Sequence, residues 1–246
     1  MLKTLKTLLA GAWVLAAASA GSAQSAAEIL EQARAAYAGL SSYSDTGEVR
    51  IESAGPGTPP WEERHAFATH YRAPRNFRFE LTKKNGEQVV VWCDGGDFQS
   101  WWSSTRSHQV YPKGKGHMAF GGASYPTRGA VLLIAPLIFP QAGLQGALTG
   151  LGEVRLEGTE TLAGRRAHRL VGDVGLGYAR TGVVTSIRRT TVWIDAETPL
   201  VRQVVEDTPT TYPVGAVDRI TTTFEPRVDP VLEDAVFRFD VPGSKP

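Results

Sequence analysis

YRAPRNFRFELTKKNGEQVVVWCDGGDFQSWW, residues 71–102, decides the fold. Phe77, Phe79 and Leu81 alternate with Asn76, Arg78, Glu80 and Thr82, the period of two that a pleated strand imposes. Asn85-Gly86 then predicts a tight hairpin, because that dipeptide accepts the positive φ angles such a turn needs. A return strand from Gln88 to Cys93 runs into a second turn at Asp94-Gly95-Gly96-Asp97, and Phe98 to Trp102 reads as a third strand. Three consecutive antiparallel strands carrying aromatic side chains, with no catalytic constellation among them, suit a surface for apolar ligands.

Upstream, Ile29, Leu30, Ala33, Ala36, Tyr37 and Leu40 recur at helical spacing, with Glu28 and Glu31 where the helix dipole favours acid, so one amphipathic helix is expected over Ser25 to Leu40. Strands follow at Tyr43 to Ser53 and Arg64 to Tyr71, separated by a Gly- and Pro-rich loop at Ala54 to Pro60. Downstream, Ser107 to Tyr111 is a strand, and Lys113-Gly114-Lys115-Gly116 reads as a solvated flexible loop. The apolar run from Ala130 to Phe139 is too short to cross a bilayer and has no polar face; it reads either as a core element or as a lid, with Pro136 kinking it. Hairpins are expected around Ala163-Gly164 and around Ala196 to Pro199, and further strands at Asp218 to Phe224 and Val236 to Phe239. On Thr190 to Asp195, Trp193 lies opposite Val192 and Ile194, which implies that both faces of the sheet are covered.

About ten strands, one helix and one apolar segment, without the helix-strand rhythm of a parallel sheet, predict a mainly β (α+β) fold. The architecture expected is an incomplete, strongly curved antiparallel β-barrel with an N-terminal helix and a helical lid over an apolar cavity. One domain is expected over residues 24–246. Residues 1–23 read as a secretory signal peptide cleaved after Ala23: Lys3 and Lys6 precede a short apolar core that ends in Gly21-Ser22-Ala23. Export to the periplasm follows, and a membrane anchor is disfavoured by the shortness of the run. Without Lys3 and Lys6 the formal charge falls from +1 to −1, so charge gives no reason to expect a nucleic-acid partner. Cys93 is the only cysteine, which rules out an intramolecular disulfide and leaves a packed core to hold the fold.

The search for chemistry is negative. His65, His70, His108, His117 and His168 show no metal-ligand spacing, and His65 and His70 have opposite parity on one strand. There is no Gly-x-Ser-x-Gly elbow, and Asp94 and Asp97 are too few for a calcium turn. No catalytic residue, metal site or cofactor is assigned, and the chain is not read as an enzyme. Arg75, Arg78, Arg188 and Arg189 are strand arginines, most simply solvated on the convex face, although such a residue can turn inward to hold a lipid head group.

The order of elements resembles the LolA-like periplasmic carriers of outer-membrane lipoproteins. The resemblance rests on the helix Ala26 to Leu40 followed by Ser-Tyr-Ser, on Pro74-Arg75-Asn76-Phe77-Arg78-Phe79, and on Val90 to Gly95. It continues in Trp193-Ile194-Asp195 with Thr198-Pro199-Leu200, and in the tail from Phe224-Glu225-Pro226 through Phe237 to Gly243. It implies an unclosed barrel whose apolar interior takes up acyl chains of a lipid or an acylated protein, with inner- or outer-membrane proteins as further partners. Where the carriers place a functional arginine this chain has Ala73, with Arg72 one residue earlier and facing the other way. A related branch of the family senses envelope stress and binds a membrane-bound regulator, so a non-enzymatic interaction module is the alternative. The ligand-lining residues expected are Phe77, Phe79, Trp92, Trp101 and Leu133, with Ile134 and Phe139 on the lid.

Overall fold

The computed structural model describes residues 24–55, 58–178, 183–209 and 217–243. The expected leader at residues 1–23 lies outside the described residues. Helix α1 (Ala26–Ala38) starts on a reciprocal cap: the Ser25 hydroxyl accepts from the Glu28 amide at 3.3 Å, and the Glu28 carboxylate accepts from the Ser25 amide at 2.8 Å. It stops at Gly39, a little short of the expected Leu40.

The strands are β1 (Ser42–Gly55), β2 (Thr58–Arg72), β3 (Asn76–Lys83), β4 (Gln88–Asp94), β5 (Phe98–Trp102) and β6 (Ser107–Tyr111). After the helices α2 (Gly116–Ser124) and α3 (Val131–Ile138) come β7 (Gly152–Leu162), β8 (Arg165–Tyr178), β9 (Val183–Asp195), β10 (Val201–Pro209), β11 (Val217–Phe224) and the short β12 (Arg227–Val228). They form one antiparallel sheet in the order β6-β5-β4-β3-β2-β1-β11-β10-β9-β8-β7, with β12 alongside β1. The sheet stays open, and the fold is the expected mainly β one, an unclosed curved sheet with helices on one face. It consists of two meanders, β1 to β6 and β7 to β11, joined where β1 pairs β11.

Local details depart from the sequence reading. At Asn85-Gly86 only Gly86 takes a positive φ, 84°, and its amide donates to the Lys83 carbonyl at 2.9 Å, so the hairpin uses one left-handed residue instead of two. Strands β1 and β2 run into the stretch expected to be a loop, pairing Gly55 with Thr58. Helix α2 was not expected, because three of its nine residues are glycine; Ala119, Phe120 and Ala123, all buried, anchor it to the protein. Helix α3 is buried at every position except Leu132, so the apolar run is a core helix as much as a cover.

Parity assigns the two faces. Tyr71, Phe77 and Cys93 align across β2, β3 and β4, as do Phe67, Leu81 and Val89, all on the inner face beneath the helices. Cys93 is buried, and burial pushes its thiol pKa up, which fits a small apolar residue and not a reactive one. Four phenylalanines from separate elements lock the helical layer down. Phe77 on β3 and Phe98 on β5 lie 5.2 and 5.1 Å from Phe120 on α2, and Phe139 at the end of α3 lies 5.5 Å from Phe77. The Phe67 ring covers the backbone of Gly47, where a Cβ would lie 2.5 Å from that ring and 2.0 Å from the Thr223 carbonyl.

The outer face is covered at one end only. Beyond β12, the chain crosses β3, β4 and β5 as a strap through a 3-10 turn at Asp234–Phe237. Phe239 and Val241 pack on Val90, Trp92 and Trp101. Arg72 donates to the Leu232 carbonyl at 2.9 Å, pairs with Asp234 and lies over the Phe237 ring. Arg78 donates to the Arg238 carbonyl at 3.0 Å, pairs with Glu80 at 2.5 Å and lies over Phe239. Trp193 faces outward as its parity requires, half-buried, with Arg169 over its ring.

One buried acid bridges α1 and the sheet. The Tyr43 hydroxyl donates to Asp45 at 2.6 Å, the Tyr43 ring packs edge-on to Tyr37 at 5.5 Å, and the Tyr37 hydroxyl accepts from the Val201 amide at 3.2 Å. Burial drives the Asp45 carboxyl up, hydrogen bonds from Tyr43 and Thr69 pull it back, and it settles at about 6. The folded state therefore binds more protons than the unfolded chain between the ordinary aspartate range and about pH 6, so this group's contribution favours folding at the acid end and is lost as pH rises through about 6. Urea unfolding is expected to show that the wild-type protein loses about 2 kcal/mol relative to Asp45→Asn between pH 4 and pH 7.5. A wild-type-minus-variant difference that does not change with pH would refute this.

Candidate functional site

The second meander leaves a groove where the phenylalanine cluster ends. It measures about 640 Å³ and lies between a helical roof and a sheet floor. The roof is the α2–α3 turn, with Ser124, Tyr125, Arg128 and Gly129, together with Leu132 and Leu133 of α3 and the stretch from Gln145 to Gly150. The floor is Val174 and Gly175 on β8, Arg188 on β9, Glu206 on β10 and Ile220 on β11. Such a volume lies within the roughly 300–1,000 Å³ of ordinary small-molecule sites.

The roof is shaped by two backbone features. Pro136 has no amide to offer the Leu132 carbonyl, and Gly146 packs against that carbonyl so closely that a Cβ would lie 1.9 Å from it. Arg128 and Gly129 turn the chain between α2 and α3 with φ values of 53° and 86°. An arginine in the left-handed region is uncommon, and it sets this cation at the lip of the groove.

Charge enters the floor as a pair. Arg188 shares parity with Thr190, Val192 and Ile194, all buried, so it faces inward while Arg189 faces out. Its guanidinium donates to the buried Glu206 carboxylate at 2.6 Å and to the Thr208 hydroxyl at 3.2 Å. On β2, buried His65 lies 3.3 Å from Glu63, and its neighbours Lys83 and Arg128 are both cationic. Burial lowers the His65 pKa first, Glu63 opposes, and the two cations lower it further, so this histidine stays neutral near pH 7.

The seven expected lining residues fall into three groups. Leu133 reaches the groove. Phe77, Phe79, Ile134 and Phe139 are on the inner side but are packed against other core side chains. Trp92 and Trp101 lie on the outer face under the strap, because Trp92 aligns with Arg78 and Trp101 with Val90. The same parity places Phe98 and Trp102, not Trp101, inside. Two causes account for the difference: Phe120, from α2, fills the end where the aromatics would line a cavity, and strand parity, not aromatic character, decides which face Trp92 and Trp101 take.

A second cleft, on the outer face, carries Arg50, Arg169, Arg189 and Arg219 beside Trp193. Each arginine has an acid: Glu52 at 2.8 Å, Glu157 at 3.3 and 3.8 Å for Arg169 and Arg189, and Asp207 at 2.7 Å. Three of these pairs cross between strands and the Arg50–Glu52 pair runs along β1, a network of opposite charges facing solvent. Among the described residues no group of three His, Cys, Asp or Glu side chains could hold a metal ion, and no helix is long and apolar enough to cross a membrane.

No protein-family model and no curated protein matches the sequence. Several solved structures are similar in fold. The lipoprotein LppX of Mycobacterium tuberculosis is 16% identical, with 83% of this chain and 95% of that one covered, at a TM-score of 0.42. A LolA superfamily protein of Nitrosomonas europaea is 13% identical over 88% and 99% of the two chains, at 0.36. The Pseudomonas aeruginosa MucA/MucB complex matches at 15% identity over 87% of this chain and 61% of that one, at 0.44. All three scores lie below 0.5, and the functional reading rests on the groove itself.

Because Glu206 is buried, removing its partner strands a charge. Arg188→Met is expected to destabilise the protein by about 3–5 kcal/mol, and the double variant Arg188→Met with Glu206→Leu to recover most of that loss. Denaturant unfolding of the four species completes the cycle; additive losses would show that the two side chains are not coupled.

Proposed function

We propose that the protein binds lipid or lipidated protein by taking an acyl chain into the groove between α3 and strands β8 to β11. The observation that carries this reading is the groove's construction: Leu132, Leu133, Ala147, Val174 and Ile220 supply apolar roof and floor, and the charges beside Val174 and Ile220 in register, Arg188 and Glu206, satisfy each other at 2.6 Å. Transfer of an acyl chain from water is worth about 0.8 kcal/mol per CH₂, so a 16-carbon chain offers on the order of 10 kcal/mol before ordering costs. No covalent step is required. The reading includes a single domain over residues 24–246, export to the periplasm with loss of residues 1–23, and Leu133 as the member of the expected lining set that meets the ligand.

A module that binds a membrane protein is the second reading, and edge strand β6 is the observation that favours it. Ser107 to Tyr111 holds no lysine, glutamate or proline and pairs β5 without a bulge, so its free edge is open to an added strand. Edge strand β7, by contrast, is broken by two register shifts.

A fluorescent fatty acid titrated into the purified protein is expected to bind, and Val174→Trp, which fills the floor, to weaken binding at least tenfold while leaving the unfolding midpoint near wild type. Equal affinity in the two proteins would remove the groove from consideration. Native mass spectrometry separates the two readings: co-purified lipid supports the groove, and a stoichiometric protein without lipid supports the edge.

A further inference from the structure

Between Asp97 and Glu153 the chain has no acidic residue, although 25 acids are spread over the rest of it. This block contains β5, β6, α2, α3 and the roof segment that follows. It carries Arg106, Lys113, Lys115 and Arg128, all exposed. On α2 the exposed residues are His117, Met118, Gly121 and Gly122, and Tyr125 continues the Met118–Gly122 stripe one turn on. Met118 is 49% exposed and Tyr125 83%, and a Cβ added at Gly121 would meet nothing within 4 Å.

We propose that this face of α2 docks on the surface of a bilayer containing anionic lipid, with Lys113 and Lys115 at one end of the helix and Arg128 at the other engaging lipid phosphates and Met118 and Tyr125 entering the interface. Charge complementarity selects the partner: cations flanking apolar and aromatic side chains, with no acid in the same stretch, match a negatively charged headgroup layer. The cations have no helical reason to be there, since Lys115 caps the N-terminus without a side-chain hydrogen bond and the dipole at that end disfavours positive charge. The nearest acids are Asp97, one residue beyond the Phe98–Tyr111 pair, at one end, and Glu63 and Glu87, both acting on His65, at the other. Glu87 is held by Lys83, whereas Glu63 lies against the neutral His65 and offsets part of the Arg128 charge, which leaves the two lysines as the main cationic end. Tyr125 and Arg128 also form the lip of the groove, so docking on this face sets the groove's mouth against the bilayer. For that consequence the proposal rests on the reading of the groove as a lipid site.

Flotation of the purified full chain with vesicles tests docking. Vesicles of phosphatidylcholine with phosphatidylglycerol are expected to carry the protein upward at low salt, and vesicles of phosphatidylcholine alone to leave it behind. Sodium chloride at ~1 M, where the screening length is about 3 Å, is expected to abolish binding. Lys113→Gln with Lys115→Gln is expected to lower affinity about 25-fold, roughly five-fold per charge. Tyr125→Ser is expected to weaken it as well. Neither lysine lines the groove, so fatty-acid uptake in solution serves as the control in the lysine double variant. Absent binding at low salt, equal binding to neutral vesicles, or full binding by the lysine double variant overturns docking, whatever the uptake assay reads. Charge-dependent flotation with no fatty-acid uptake leaves docking standing and removes the groove reading instead.

Discussion

An open sheet of this width must bury its inner face against something, and here the contact that does so is the cluster of Phe77, Phe98, Phe120 and Phe139. Each ring comes from a different element, and together they hold two short helices that have little intrinsic stability. Helix α2 is rich in glycine and α3 contains a proline, so neither would persist in water without this packing. The position of the roof, and hence the existence of the groove, depends on these rings. Beyond their reach the sheet floor is left partly open.

The outer face is handled differently at its two ends. Over β3 to β5, tryptophans meet a C-terminal strap held by Arg72 and Arg78, with each guanidinium giving hydrogen bonds to backbone carbonyls and lying over a phenylalanine. Arg72 is the residue one position before Ala73, and its work is structural, on the side of the sheet away from the helices. Over β8 to β11 the exposed rows carry charge pairs that water solvates, with Ile187 and Val217 exposed among them. Two solutions to the same requirement thus divide the sheet into a covered half and a wet half.

Much of this was legible in the sequence. Strict alternation in Phe77, Arg78, Phe79 and Glu80 assigned the inner and outer faces of β3 correctly, and turn residues marked the β3–β4, β4–β5, β7–β8 and β9–β10 hairpins, while the turns at 73–75 and 103–106 carried no such signal. The tryptophans do not line the interior: the same alternation, carried through Val91 and Cys93, puts Trp92 outside. Arg188 carried a usable signal in its parity with Thr190, Val192 and Ile194. Helix α2 carried almost none, since its glycines and its short length erase the contrast between polar and apolar faces. The groove was invisible because no local pattern reports that Leu132 and Ile220, 88 positions apart in the chain, will face each other.

The seam between β1 and β11 gives this arrangement a temporal order. Within each meander every strand pairs with its sequence neighbour, and such contacts form early; β1 must wait for a partner about 170 residues further along. The roof of the groove is built on the first meander and its floor on the second. Until the seam closes, neither half has anything to enclose. Binding competence is therefore a property that the chain acquires last, and an incompletely folded molecule presents two apolar sheets without a place to put cargo.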